Sequence, residues 1–237
     1  MGLLGLVCLL VLSVAPASTM AATTKRYTLD LGKRSDYVAQ TNLVQCIGAS
    51  MQMMLNMIEP GVDRTARTQL RLQRIARKLS PPRPDGRVRQ GANVIGWATG
   101  LSLQGAGPYK VVGTQTLAEA MLVAARSMRR TGRPVGLLVW RGRHAWVMSG
   151  FKATGDPLLP GSRVTAAIVE DPLYPNRSSI WGQSPAPGEA LSLEELGRQF
   201  VRRRQGFSSW QMADLGGKYV LVIPYELPFR TLRHQAI

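Results

Sequence analysis

The chain has 237 residues and a formal net charge of +16, from 30 Lys and Arg against 14 Asp and Glu. Such a balance favours acidic partners, whether anionic lipid, cell-wall polymer, nucleic acid or acidic protein. Apolar residues are spread along the whole length, without a long acidic, Gln-rich or Gly/Ser-rich tract and without an internal repeat, which excludes a disordered chain and predicts one globular domain.

The first segment, Met1-Gly-Leu-Leu-Gly-Leu-Val-Cys-Leu-Leu-Val-Leu-Ser-Val, is apolar and gives way to small residues around Ala15-Pro16-Ala17 and Ala21-Ala22. This is the shape of a secretory signal peptide over residues 1–21, although only the amino terminus supplies positive charge before the run. An uncleaved N-terminal anchor is the alternative, against which the run is short for a span of ~20 residues. Either way the remainder, residues 22–237, is expected to be exported, as a secreted or cell-envelope protein. Membrane contact is expected only through an uncleaved leader. Once the leader is removed one cysteine remains, Cys46. Exported proteins pair their cysteines or lack them, so a single thiol points either to a small buried hydrophobe or to chemistry.

Residues 23–43 read as an extended lead-in, with Tyr27, Leu29 and Leu31 alternating as in a short strand. From about residue 44 the pattern turns helical: Ile47, Met51, Met54, Leu55 and Ile58 recur at helical spacing until Pro60-Gly61. A second helix is predicted over 63–79. It carries Arg64, Arg67, Arg71, Arg74 and Lys78 on one face, opposite Ala66, Leu70 and residues 72–75. This stripe reads as a solvated helix face, because specific nucleic-acid binding would add aromatic stacking groups or a docking motif. Residues 80–113 are rich in Gly and Pro and read mostly as loop, with one short helix around 92–99. Thr116-Leu-Ala-Glu119 is a capping box that opens a helix running to about residue 130. A buried strand over 134–140, a tight turn at Arg141-Gly142 and a hairpin partner over 143–151 follow. After a longer loop, a strand over 164–169 leads into Glu170-Asp171-Pro172. Ser192-Leu-Glu-Glu195 opens a further helix, expected to end in Arg202-Arg203-Arg204, and a last strand occupies 219–223. Helices first and antiparallel strands second predict an α+β domain with the helices grouped on one side of the sheet.

The chemistry starts from the thiol, which acts as a nucleophile only when ionised. Cys46 falls in the first turn of the predicted helix at 44–58, where unpaired N–H groups and the helix dipole favour negative charge. A base is needed next, and only His144 and His234 exist. His234 lies in a tail of mixed polarity, whereas His144 begins a strand in which His144, Trp146 and Met148 face one way and Ala145, Val147 and Ser149 the other. Asp171, at the end of the neighbouring strand, is placed to orient an imidazole. For the oxyanion, the backbone N–H of Cys46 and a side-chain amide from Gln40 or Gln45 are at hand, and chemistry alone does not choose between them.

Gln40-Thr-Asn-Leu-Val-Gln-Cys46-Ile-Gly-Ala49-Ser50 resembles the active-site stretch of papain-like cysteine peptidases. Gly142-Arg-His144-Ala145-Trp-Val-Met-Ser-Gly150-Phe151 resembles their histidine strand. Val169-Glu-Asp171-Pro172 is similar to the Asp-Pro of the bacteriocin-processing, double-glycine-leader branch. The resemblance covers the order of motifs over residues 40–175 and about a dozen matched positions. It implies a papain-like hydrolase domain in which Cys46 is the nucleophile, His144 the base, Asp171 its partner and Gln40, six positions before the nucleophile, the oxyanion donor. Two features depart from the family pattern: Ile47 follows the nucleophile where Gly or a polar or aromatic residue is usual, and the loop at 152–163 lengthens the separation of His144 from Asp171.

The expected activity is therefore cleavage of an amide bond in a peptide or protein, for which an acidic or cell-surface substrate would suit the basic surface. A non-catalytic basic binding module on the same scaffold, and acyl transfer to an amine, are the alternatives. No cofactor or metal is expected. One cysteine and two histidines cannot form a Cys/His zinc site, no phosphate-cradling or dinucleotide-binding glycine motif is present, and the adjacent carboxylates Glu170 and Asp171, or Glu194 and Glu195, diverge in direction, which gives a glycosidase no support.

Overall fold

The computed structural model describes residues 26–59, 61–83, 85–205 and 214–226; the leader read over residues 1–21 and His234 lie outside them. Among the described residues no helix is long and apolar enough to cross a membrane.

The fold is mixed α+β, built on a seven-stranded antiparallel sheet. In chain order the elements are β1 (Tyr27–Asp30), α1 (Cys46–Ile58), α2 (Ala66–Lys78), α3 (Val94–Leu103), β2 (Tyr109–Thr114), α4 (Leu117–Thr131), β3 (Val135–Val139), β4 (His144–Ala153), β5 (Val164–Glu170), β6 (Arg177–Ser178), β7 (Gly182–Gln183), β8 (Glu189–Ser192), α5 (Leu193–Gly197) and β9 (Tyr219–Pro224). The strand order is β2-β9-β3-β4-β5-β8. The ten-residue β4 is the spine: its first half pairs with β3, from Val139↔His144 to Val135↔Met148, and its second half pairs with β1. β6 and β7 form a separate small hairpin.

Both faces of the sheet are covered. Met51, Met54, Leu72, Trp97 and Leu101, from α1, α2 and α3, pack against Leu138, Ala145, Val147 and Val222. On the opposite face Met121, Ala124 and Met128 of α4 join Leu196 and Phe200 against Leu137, Trp146, Phe151 and Val169. Each fully buried Leu, Met or Phe side chain contributes about 1.5–3 kcal/mol. The expectation that all helices lie on one side is thus corrected: α4 connects β2 to β3 on the far face, because its Ala120, Met121, Ala124 and Met128 stripe fits the second hydrophobic surface of a sheet buried on both sides. Nor is the sheet confined to the C-terminal half, since β1 and β2 are drawn from the first 114 residues.

Four further expectations need correction. The Gly/Pro-rich stretch contains α3, longer than expected, and the edge strand β2, whose burial does not alternate. Helix α5 stops at Gly197 well short of the arginine run, because the chain beyond it is pulled into bonds with the turn before His144: Gln199 O accepts from Trp140 N at 3.0 Å and Arg204 N donates to Arg141 O at 3.2 Å. That turn is a four-residue connection, 140–143, between the paired Val139 and His144 rather than a two-residue one. On α2 the buried positions are Gln69, Leu72, Gln73 and Ala76, while Leu70 is exposed.

The buried glutamines explain the rotation of α2. Gln69 accepts from Thr41 N and donates to Ala39 O, and Gln73 accepts from Gly48 N at 2.8 Å and donates to Val44 O at 2.9 Å. Polar side chains here take the places an apolar stripe would occupy, since they satisfy backbone groups with no other partner. The close crossing of α1 over α2 depends on Gly48, where a Cβ would lie 2.7 Å from Gln69 O and 2.8 Å from Gln73 Cβ. Gly48→Ala gains helix propensity of about 1 kcal/mol, yet overpacking costs about 1–3 kcal/mol. We expect a lower urea midpoint for Gly48→Ala than for the wild type; an unchanged or higher midpoint would show that the helices separate freely.

Candidate active site

The site forms where the N-terminus of α1 meets the start of β4. Ser50, one turn into α1, donates its hydroxyl to Ala145 O at 3.3 Å, fixing the helix along the strand. Gln73 bonds to residues on both sides of Cys46, at Val44 and Gly48. Cys46 is the first residue of α1, partly buried and not in a disulfide. Its side chain lies close enough to the imidazole of His144 to raise that ring's affinity for a proton. Among the described residues none accepts a hydrogen bond from the Cys46 backbone N–H, so that donor is available to a ligand oxygen, as expected in the first turn of a helix.

His144 is buried, and its Nε2 lies 2.7 Å from Asp171 Oδ1. The imidazole thus stands between the thiol and the carboxylate, holding the carboxylate through Nε2. Asp171 is fully buried. The same Oδ1 accepts from Leu173 N at 2.8 Å, while Oδ2 has no hydrogen-bond partner. Burial pushes the His144 imidazole down, but its hydrogen bond to Asp171 and the influence of the Cys46 side chain and of both charges outweigh it, raising His144 from 6.5 to about 9.

Asp171 sits in a turn that the lead-in segment clasps. Tyr37 donates its hydroxyl to Asp171 O at 3.1 Å and to Tyr174 O at 2.7 Å, and Gln40 N donates to Pro172 O at 2.7 Å. Gln40 is therefore anchored between the Asp171 turn and the approach to Cys46. Its side-chain Nε2 donates to Asn42 O at 3.0 Å, leaving its second N–H, and its Oε1 is buried without a partner. Gln45, the other amide at hand, is the N-cap residue of α1; its Oε1 accepts from Thr41 Oγ1 at 2.6 Å.

Three contributors lie outside the motifs read from sequence. Trp140 stacks on the His144 ring at 4.1 Å between centroids, and Trp181 stacks on Trp140 at 6.4 Å and 2°. Trp140 and Arg141 both have φ of 56°, followed by Gly142 at 97°. Two non-glycine residues in the left-handed region cost about 1–3 kcal/mol each. The bonds of Trp140 N and Nε1 to Gln199 O and Oε1 hold the turn in this form. Tyr37 is the second contributor and Gln73 the third. The only sequence signal for any of them is an aromatic residue four positions before His144.

Among the described residues no group of three or more His, Cys, Asp or Glu side chains could hold a metal ion. A nucleophile, a charged imidazole and a buried carboxylate in series can carry out proton transfer and covalent attack. No family model matches the chain, and no curated protein matches it significantly.

His144 also makes stability depend on pH. Its folded value lies above its unfolded one, so its contribution is complete below about 6.5 and is lost as pH rises through about 9. Removing the imidazole leaves Asp171 buried with Leu173 N as its remaining donor, a loss of about 3–5 kcal/mol. Urea unfolding of His144→Ala beside the wild type is expected to show a deficit of that order near pH 6, narrowing from pH 7 to 10; a deficit constant over this range would contradict a charged imidazole.

Proposed function

We propose that the chain is a papain-like thiol hydrolase that cleaves amide bonds in peptides or proteins. The observation that carries this reading is the juxtaposition of Cys46, His144 and Asp171, with the sulfur at the start of a buried helix, its influence on the His144 ring and the 2.7 Å contact of His144 Nε2 with Asp171 Oδ1. The lone cysteine of the mature sequence and the order of the three motifs support it.

In this reading Cys46, as thiolate, attacks the substrate carbonyl carbon, and the charge developing on the oxygen is met by the Cys46 N–H and the free N–H of the Gln40 amide. The imidazolium of His144 gives its proton to the leaving amine as the carbon–nitrogen bond breaks, leaving a thioester on Cys46. His144, now neutral, takes a proton from water as the water oxygen attacks the thioester; collapse expels the thiolate and frees the acid. Asp171 fixes the tautomer and balances the charged ring throughout. Trp140 positions the ring by stacking. The sequence leader makes this an exported enzyme, and its basic surface suits an acidic or cell-surface protein substrate.

Incubation of the mature protein with a mixed peptide library, read by mass spectrometry, tests the proposal. Cleavage is expected for the wild type, with a loss of at least about a thousandfold in Cys46→Ala and of about a hundredfold in Gln40→Ala. Cleavage that survives in Cys46→Ala, or a wild type that cleaves nothing yet retains peptides on its surface, would refute hydrolysis and favour a binding module.

A further inference from the structure

Behind the Asp171 turn lies a cavity of about 630 Å³ that none of Cys46, His144 or Asp171 lines. Lys33, Arg34 and Arg64 line it, together with Tyr37, Glu170 and Gly188. The three cations come from separate places, Lys33 and Arg34 from the segment after β1 and Arg64 from the connection between α1 and α2. Among the described residues none of them forms an ion pair with an acidic side chain. Three cations lining one concave space favour a ligand with negatively charged oxygens, above all where guanidinium groups can bind two oxygens at once.

Glu170 at first argues against an anion, since it is a carboxyl group in the wall. It is 3% exposed, and its two oxygens accept from Ser149 Oγ and Gly188 N, each at 3.1 Å. Burial, and to a smaller extent the charges of Asp30 and Asp36, push it up to about 7 against the lowering effect of those two hydrogen bonds. Below that pH its carboxyl is neutral and does not oppose an anion. The other carboxylates nearby have donors of their own: Asp30 accepts from Gly32 N, Asp36 from Lys33 N, and Asp171 from His144 and Leu173 N. The charge balance of the lining is thus three positive groups below pH 7 and three against one above it.

We propose that this cavity is a binding site for a small oxyanion, a carboxylate or a tetrahedral phosphate-like group, held by Lys33, Arg34 and Arg64 beside the Glu170 carboxyl. The ligand and Glu170 repel each other when both are charged, so binding takes up a proton and weakens as pH rises through 7. The site does not depend on the hydrolytic reading, and its occupancy is measured without activity.

Calorimetric titration of the mature protein with sulfate and, separately, with succinate at pH 6 and pH 8 tests this, since neither probe changes charge greatly across that interval. Saturable binding of sulfate alone assigns a tetrahedral ligand, and of succinate alone a carboxylate. Affinity is expected to fall several-fold from pH 6 to 8, and by about tenfold in Arg64→Ala or Lys33→Ala at pH 6. In Glu170→Gln the pH dependence should flatten while binding persists. Absence of saturable binding by either probe at pH 6, or binding unaffected in the Lys33→Ala/Arg34→Ala/Arg64→Ala triple variant, would overturn the site. Unchanged pH dependence in Glu170→Gln would remove Glu170 from it.

Discussion

Everything at the site depends on one docking event, the packing of the N-terminal turn of α1 against the beginning of β4. The two elements are about a hundred residues apart in sequence, and the bond from Ser50 to Ala145 O is a direct polar link between them, beside the interaction of Cys46 with His144. Around it the helix is buried on nearly every side, with Met51, Met53 and Met54 wholly inside. Flexible methionine side chains fill the irregular space between helix and sheet, and Gly48 lets α2 approach closely enough for Gln73 to grip the backbone on both sides of Cys46. The position of the sulfur is thus a consequence of core packing and does not rest on a surface loop.

The second constraint is the burial of Asp171. A fully buried carboxylate is unfavourable unless charge and hydrogen bonds compensate it, and here one oxygen receives both His144 and Leu173 N while the other receives nothing. The imidazole is therefore the chief compensation for the carboxylate, just as the carboxylate holds the imidazole charged. The Tyr37 and Gln40 bonds to the turn draw the N-terminal lead-in against the same point, so that the segment leading into Cys46 and the one bearing Asp171 are fixed to each other.

Much of this was legible in the sequence, for physical reasons that differ from part to part. Helices α1 and α4 announced themselves by apolar spacing and by Thr116 as a cap, and Ser192 correctly marked the start of α5. The hairpin of β3 and β4 was readable because β3 is apolar throughout and β4 is so for most of its length. Edge strands β2 and β8 were not, since partial burial leaves no alternation, and the length of α5 was set by long-range bonds to Trp140 and Arg141 that no local pattern records. The face of α2 was misread because buried glutamines look polar in sequence. At the site, the scarcity of Cys and His singled out Cys46 and His144. Trp140, Tyr37, Gln73 and the perturbed Glu170 stayed hidden, because each acts through a contact that only the folded chain creates.

The claim at the centre of this account is that a charged imidazole stands beside the Cys46 sulfur over the neutral range. The rate of alkylation of Cys46 by iodoacetamide as a function of pH measures this most directly. The account predicts rapid labelling already at pH 6, little change up to pH 8, and loss of the low-pH reactivity in His144→Ala. Labelling that becomes appreciable only above pH 8, at the rate of a small free thiol and with or without His144, would contradict it.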